Sequence, residues 1–162
     1  MSSLQNVGFT LVELAVTTAL FLSLLAIAVP NLLGIRERVE MRSVVNTVLA
    51  DIRGQQLKAM LGDTEGRETT DLYGVHFETS SYTLFHGASY SPLESTNIVI
   101  PLSGNLQFDP VSFPNSAIIF NKGSGTVLGF DSQAHSIVLI NPNTSETISV
   151  TFNTFGVVTG VQ

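Results

Sequence analysis

Hydrophobic and polar positions along the first half of the chain follow two successive patterns. Residues 9–29 carry a single charged side chain, Glu13, in an otherwise apolar or uncharged run. At a rise of about 1.5 Å per residue, a helix of this length crosses the hydrocarbon core of a bilayer. The pattern therefore predicts a transmembrane helix over 9–30. A kink is expected at Pro30, because proline lacks a backbone donor.

Beyond Pro30 the apolar residues return at intervals of three and four, which is the spacing of one helical face. Charged and polar residues fill the positions between them. Gly62 follows the last of these positions and is a typical helix stop. The pattern predicts an amphipathic half of the helix over 31–62, with these residues on its apolar face: Ile35, Val39, Val45, Val48, Leu49, Ile52, Ala59 and Met60.

After Gly62 the pattern changes to short β-branched and aromatic runs separated by turn residues. A polar loop over 63–71 precedes the first run. The predicted strands lie near 72–78, 81–86, 97–101, 105–109, 116–121, 126–130, 135–141, 146–153 and 155–161. The fold class predicted for the whole chain is α+β. It consists of a long N-terminal helix, transmembrane and then amphipathic, packed on a C-terminal antiparallel β-sheet or sandwich domain over 63–162.

Composition narrows the classes of function. The chain has 162 residues and no cysteine, which excludes disulfides, thiolate catalysis and cysteine-based zinc sites. Its formal net charge of −6 gives no general attraction to phosphate backbones, so nucleic acid is an unlikely partner.

Candidate residues for catalysis or metal binding are few. His76, His86 and His135 lie in or beside predicted strands without metal-ligand spacing. The acidic residues of the 63–71 loop lack the spacing of a calcium loop and are expected to be solvated: Asp63, Glu65, Glu68 and Asp71. The sequence therefore predicts no catalytic, cofactor-binding or metal residues and no cofactor, and the chain is not expected to be an enzyme.

The stretch "GFTLVEL", residues 8–14, places Glu13 inside the apolar run, five positions after a glycine. This stretch resembles the N-terminus of type IV pilins and pseudopilins. The later segments "YGVHFETSSYTLF" and "TFNTFGVVTG" look more loosely like the minor pseudopilins of the general secretion pathway. The resemblance implies a leader over 1–8 that prepilin peptidase cuts after Gly8, and methylation of the new N-terminal amine of Phe9.

The resemblance also implies a role, a location and partners. The chain would be a structural minor subunit of a type II secretion pseudopilus or a type IV pilus. It would cross the cytoplasmic membrane once, with the C-terminal domain on the outer side, before entering a filament. Its partners would be other pilin or pseudopilin subunits, prepilin peptidase, the inner-membrane assembly platform and membrane lipid. In the filament, Glu13 of one subunit would pair with the Phe9 amine of a neighbour.

The sequence also allows alternatives to a pilin-like subunit with a secretion role. Ala26-Ile27-Ala28 is a small-x-small pattern, so signal peptidase cleavage after Ala28 could release a secreted β-domain binding module. The apolar run could be a plain membrane anchor or a buried soluble helix, with Glu13 near its end. A DNA-uptake minor pilin is expected to have a basic C-terminal face. No arginine and no second lysine follows Lys122, so a secretion role is favoured.

Overall fold

A computed structural model of the chain describes residues 9–162, and it describes side chains for 9–26 and 38–162. Helical backbone is assigned to α1 (Leu11–Leu61). The chain divides into two compact units, with the boundary between Glu40 and Met41.

The predicted architecture is wrong in its helical part. The structure describes the side chains of two short helical segments, 11–26 and 38–61. Of these, only residues from Met41 onward belong to the unit that contains the strands. In the described part of the chain, no helix combines the length and the hydropathy that a membrane crossing requires. The predicted single-pass membrane location is contradicted for the same reason.

The second unit contains eight strands, all within its fully described range. They are β1 (Tyr73–Phe77), β2 (Ser81–His86), β3 (Ile98–Pro101), β4 (Gln107–Val111), β5 (Ala117–Phe120), β6 (Ser136–Asn141), β7 (Glu146–Phe152) and β8 (Val158–Val161). A short 3₁₀ turn (Pro114–Ser116) precedes β5. Seven of the nine segments predicted from the sequence contain a strand in full, and an eighth, 105–109, overlaps β4 at residues 107–109.

The remaining predicted segment, 126–130, is not a strand. Val127 forms only an isolated bridge with Phe120. Glycines with positive φ stand at 123, 125 and 129, and they turn the chain around this bridge. The apolar residues of the segment indicated burial but not strand geometry.

The strands form two antiparallel sheets of four. The first has the order β3-β2-β1-β5 and the second the order β4-β6-β7-β8. Alternation sets the faces of β6, in which every second residue is buried: Ile137, Leu139 and Asn141. β3 is an edge strand that ends in Pro101, and proline at an edge lowers the number of free backbone donors.

The helix from Met41 to Ala59 shares one hydrophobic core with both sheets. Its buried residues recur at helical spacing: Met41, Val45, Val48, Leu49, Ile52 and Ala59. The hydroxyl of Tyr82 on β2 donates a 2.5 Å hydrogen bond to the Asp51 carboxylate. Burial, and then the Asp51 carboxylate, raise the pKa of Tyr82 well above its ordinary value. The phenol therefore stays protonated and keeps donating to the helix.

Gln56 connects the same helix to two turns of the β region. Its Nε2 donates to the carbonyl oxygen of Gly125 at 2.8 Å and to that of Phe155 at 2.6 Å. The second turn has room only for glycine at position 156. Gly156 has a φ of +69°, and a Cβ there would lie 2.7 Å from both Gln56 Nε2 and Phe120 Cε1.

We expect Gly156→Ala to destabilise the second unit more than Gly129→Ala. Both glycines have positive φ, which costs alanine about 1 kcal/mol, but an added Cβ meets nothing within 4 Å at Gly129. Overpacking at Gly156 should add about 1–3 kcal/mol. Urea unfolding of the two full-length variants measures the difference. Equal losses in the two variants would contradict the role given to the Gln56 contacts.

Candidate functional site

Thr10 and Glu13 form a capping box at the start of α1. The Thr10 backbone N–H and its hydroxyl donate to Glu13 Oε2 at 2.9 and 2.8 Å. In return, the backbone N–H of Glu13 donates to Thr10 Oγ1 at 3.2 Å. Such reciprocal bonds satisfy donors that a helix N-terminus otherwise leaves free. The sequence analysis missed this role, although threonine followed three residues later by glutamate is its known signature.

The carboxylate of Glu13 is ionised and only partly engaged. The Thr10 backbone N–H, and then the Thr10 hydroxyl, hold the pKa of Glu13 below its ordinary value. Both bonds end on Oε2. Within the part of the chain that the structure describes, no donor is bound to Oε1. Among residues 9–162, Glu13 therefore caps its own helix with one oxygen, and no described donor occupies the other.

The helical segment that Glu13 begins is apolar and exposed on every side. Its large side chains are 43–84% exposed: Leu11, Val12, Leu14, Val16, Leu20, Phe21, Leu22, Leu24 and Leu25. Its hydroxyls bond to helix carbonyls one turn back, Thr17 to Glu13 O at 2.8 Å and Thr18 to Leu14 O at 2.9 Å. The segment thus offers other molecules an apolar surface in which Glu13 is the one charge among residues 9–26.

Of the predicted processing residues, the structure describes Phe9, whose side chain is 84% exposed. Gly8 and the leader lie outside the described residues. The backbone at Pro30 is assigned to α1, side chains are not described for 27–37, and the kink at Pro30 stays a prediction. Phe9 and Glu13 stand one helical turn apart in the chain. The methylation and cleavage sites remain predictions.

The acidic loop after Gly62 is occupied by its own ion pairs. Glu65 accepts from Lys58 Nζ at 2.6 Å and from Arg67 at 3.0 Å. Arg67 also donates to the hydroxyl of Tyr73 at 2.7 Å. Among the described residues, no three histidine, aspartate or glutamate side chains converge as a metal site.

The structure brings together an acid, an imidazole and a hydroxyl that the sequence did not connect. His86 Nδ1 lies 3.0 Å from Asp71 Oδ2, and His86 Nε2 lies 2.8 Å from Thr96 Oγ1. This order occurs in acyl-transfer sites. Here the adjoining space, lined by Gln55, Tyr73 and others, measures about 10 Å³. That volume holds one water at most, and the three residues connect the end of β2 with the loops that carry Asp71 and Thr96.

The other two histidines make aromatic contacts. His76 stacks on Tyr90 with ring centroids 4.0 Å apart, and His135 lies 5.8 Å from Phe130. Burial, the largest cause, lowers the pKa of His76. A neutral ring stacked in a partly buried place is a structural contact.

No protein-family model, curated protein or solved structure matches this chain.

We expect Asp71→Asn to lower stability at neutral pH by on the order of 0.5 kcal/mol, the size of a partly exposed polar contact to a carboxylate. Burial alone would raise the pKa of Asp71, but hydrogen bonds from His86 and the Leu72 N–H bring it below its ordinary value. A lowered carboxyl pKa stabilises the fold above the unfolded pKa of about 3.9 and ceases to do so as pH falls through the folded pKa.

Urea unfolding of the wild type and of Asp71→Asn at pH 7, 5 and 3 measures this dependence. The difference between the two proteins should be the same at pH 7 and pH 5 and smaller at pH 3. A difference in stability that stays constant across the three pH values would show that the Asp71 contact acts through packing and not through charge.

Proposed function

We propose that this chain is a structural subunit of a pilin-like or pseudopilin-like filament, processed after Gly8 and assembled through the exposed segment 9–26. A secretion pseudopilus is favoured over a DNA-uptake pilus, because the C-terminal region lacks basic residues. The proposal assigns the chain no catalysis. Its partners are other subunits of the same kind, a prepilin peptidase and an assembly platform.

The observation that carries the proposal is the open Oε1 of Glu13 at the start of an apolar, exposed helical segment. Cleavage after Gly8 would create an amine on Phe9 that is largely protonated at neutral pH. That amine of one subunit and the open carboxylate oxygen of the next are complementary in charge. Glu13 would then cap its own helix and bind its neighbour at the same time.

Assembly also accounts for the apolar surface of the segment. Contiguous apolar patches beyond a few hundred Å² are uncommon on monomers, and they mark interaction sites. Equivalent segments of several subunits, packed side by side, would remove these side chains from water. Inside such a bundle an unpaired charge is costly, so the contact between Glu13 and Phe9 favours one stagger over others.

We expect Glu13→Gln to assemble poorly although its helix stays capped. Glutamine replaces glutamate in capping boxes, so it retains the bond to the Thr10 N–H but loses the charge. Glu13→Val removes both, and Thr10→Val weakens the cap while it keeps the charge. In sheared filaments, immunoblots of this chain should show a loss of about tenfold or more for the two Glu13 variants and a smaller loss for Thr10→Val.

Mass spectrometry of each variant gives the processing control. The mature chain should begin at a methylated Phe9 in every variant, so that a loss of assembly is not a loss of cleavage. Wild-type amounts of Glu13→Gln in filaments would refute the charge pairing. A mature chain that begins at Val29 would refute the filament proposal in favour of a secreted domain.

A further inference from the structure

A small cavity lies in the second unit, between the helix and the end of β2. Its volume is about 10 Å³, and the side chains that line it include Gln55, His86 and Thr96. A cavity needs about 10–15 Å³ to hold one water molecule. The size of the cavity therefore restricts its occupant to a single water or an ion of similar size.

Gln55 brings a buried acceptor to this cavity. Its side chain is 3% exposed, and within the part of the chain whose side chains are described, its Oε1 has no hydrogen-bond donor. A buried amide oxygen without a donor is costly, so nearly all such atoms in folded proteins are bonded to the protein or to ordered water. Gln55 thus indicates a donor that the described residues do not supply.

Thr96 brings a second acceptor, at the exposed rim of the cavity. The ionised carboxylate of Asp71 can only accept, so His86 Nδ1 donates to Asp71 Oδ2 across 3.0 Å. In the neutral imidazole Nε2 is then an acceptor, and the Thr96 hydroxyl donates to it across 2.8 Å. This bond uses the one hydrogen of the hydroxyl, and the lone pairs of Thr96 Oγ1 still accept from another donor.

We propose that one ordered water molecule occupies this cavity and donates one hydrogen to Gln55 Oε1 and the other to Thr96 Oγ1. Water fits because it has two O–H groups for the two acceptors and the size of the cavity. A Ca²⁺ or Mg²⁺ ion does not fit, because each needs about six oxygen ligands. The site lies within the second unit and does not depend on the filament proposal.

The water completes a chain of hydrogen bonds from the helix to the loop between β2 and β3. The chain runs from Gln55 through the water to Thr96 and His86, and it ends at Asp71 before β1. From the water onward, each O–H or N–H donates toward Asp71. The water therefore satisfies the buried Gln55 and also connects the helix to the loop that carries Thr96.

A crystal structure of the full-length chain, at a resolution that shows ordered water, tests the site directly. We expect one density peak in the cavity, about 2.5–3.0 Å from both Gln55 Oε1 and Thr96 Oγ1. An empty cavity would overturn the proposal, and so would a direct hydrogen bond from the protein to Gln55 Oε1. A peak surrounded by several oxygens at about 2.0–2.6 Å would be a cation and would overturn it as well.

A double-mutant cycle of urea unfolding gives a second measurement. Gln55→Met keeps the length of the side chain and removes Oε1, and Thr96→Val removes Oγ1. Because Oε1 has no direct bond to Thr96, the two oxygens interact only through the shared water. The effects on the unfolding constant should therefore deviate from additivity by about threefold or more. Any gain from burying methionine occurs in both backgrounds and cancels in the cycle.

The control cycle combines Gln55→Met with Thr144→Val, since Thr144 is exposed on the turn between β6 and β7 and does not line the cavity. These two effects should add. Additive effects of Gln55→Met and Thr96→Val would refute the shared water, and so would an equal deviation in the control cycle. Circular dichroism verifies the fold of each variant, and the crystal structure tests the site without any substitution.

Discussion

An ionised carboxylate lies at the start of an apolar, exposed helical segment, and its charge limits the contacts that this segment can make with other molecules. The segment 9–26 exposes its large aliphatic side chains to water, and Glu13 alone among these residues carries a charge. Covering the segment lowers the free energy of the system, but only if the carboxylate retains a partner. Thr10 satisfies one oxygen and leaves the other open. In the proposed filament, association with other chains would be selective, because only an arrangement that brings a cation to Glu13 would avoid a buried unpaired charge.

The second unit, in contrast to the exposed segment 9–26, buries its own hydrophobic core. Its helix shares a hydrophobic core with two antiparallel sheets, and polar contacts of Asp51 and Gln56 with the β region add to that packing. The Gln56 contacts also fix the turn of Phe155, so the packing that stabilises the unit presents an aromatic ring outward. The division between a self-sufficient unit and an uncovered segment suits a subunit that folds first and assembles afterwards.

The spacing of apolar residues along the sequence predicted much of the second unit. Alternation located eight strands to within a few residues, and helical spacing identified Val45, Val48, Leu49, Ile52 and Ala59 as buried. The same spacing failed at Val39 and Met60, which are exposed, because contact with a sheet depends on where a helix enters and leaves the core. The prediction of a transmembrane helix was wrong, because an apolar composition alone does not establish that the chain forms a helix long enough to span a bilayer.

Contacts between distant residues account for the rest. Asp71, His86 and Thr96 come together only through the pairing of β1 with β2 and the course of the following loop. Nothing in their spacing reveals this contact. The capping role of Glu13 is readable from the threonine three residues earlier, because threonine and glutamate at this spacing form a capping box. In the proposed filament, Glu13 would cap its own helix through Oε2 and bind a neighbouring subunit through Oε1.

The most direct measurement is the distance between the Phe9 nitrogen and the Glu13 carboxyl carbon of different subunits. Filaments are assembled from an equal mixture of chains labelled with ¹⁵N-phenylalanine and chains labelled with ¹³C-glutamate, so that only contacts between subunits produce a dipolar coupling. Solid-state NMR should detect a coupling at the N-terminal amine that corresponds to about 4 Å, the reach of an ion pair. Absence of this coupling, with a normal coupling in filaments of doubly labelled chains, would show that Glu13 serves only its own helix.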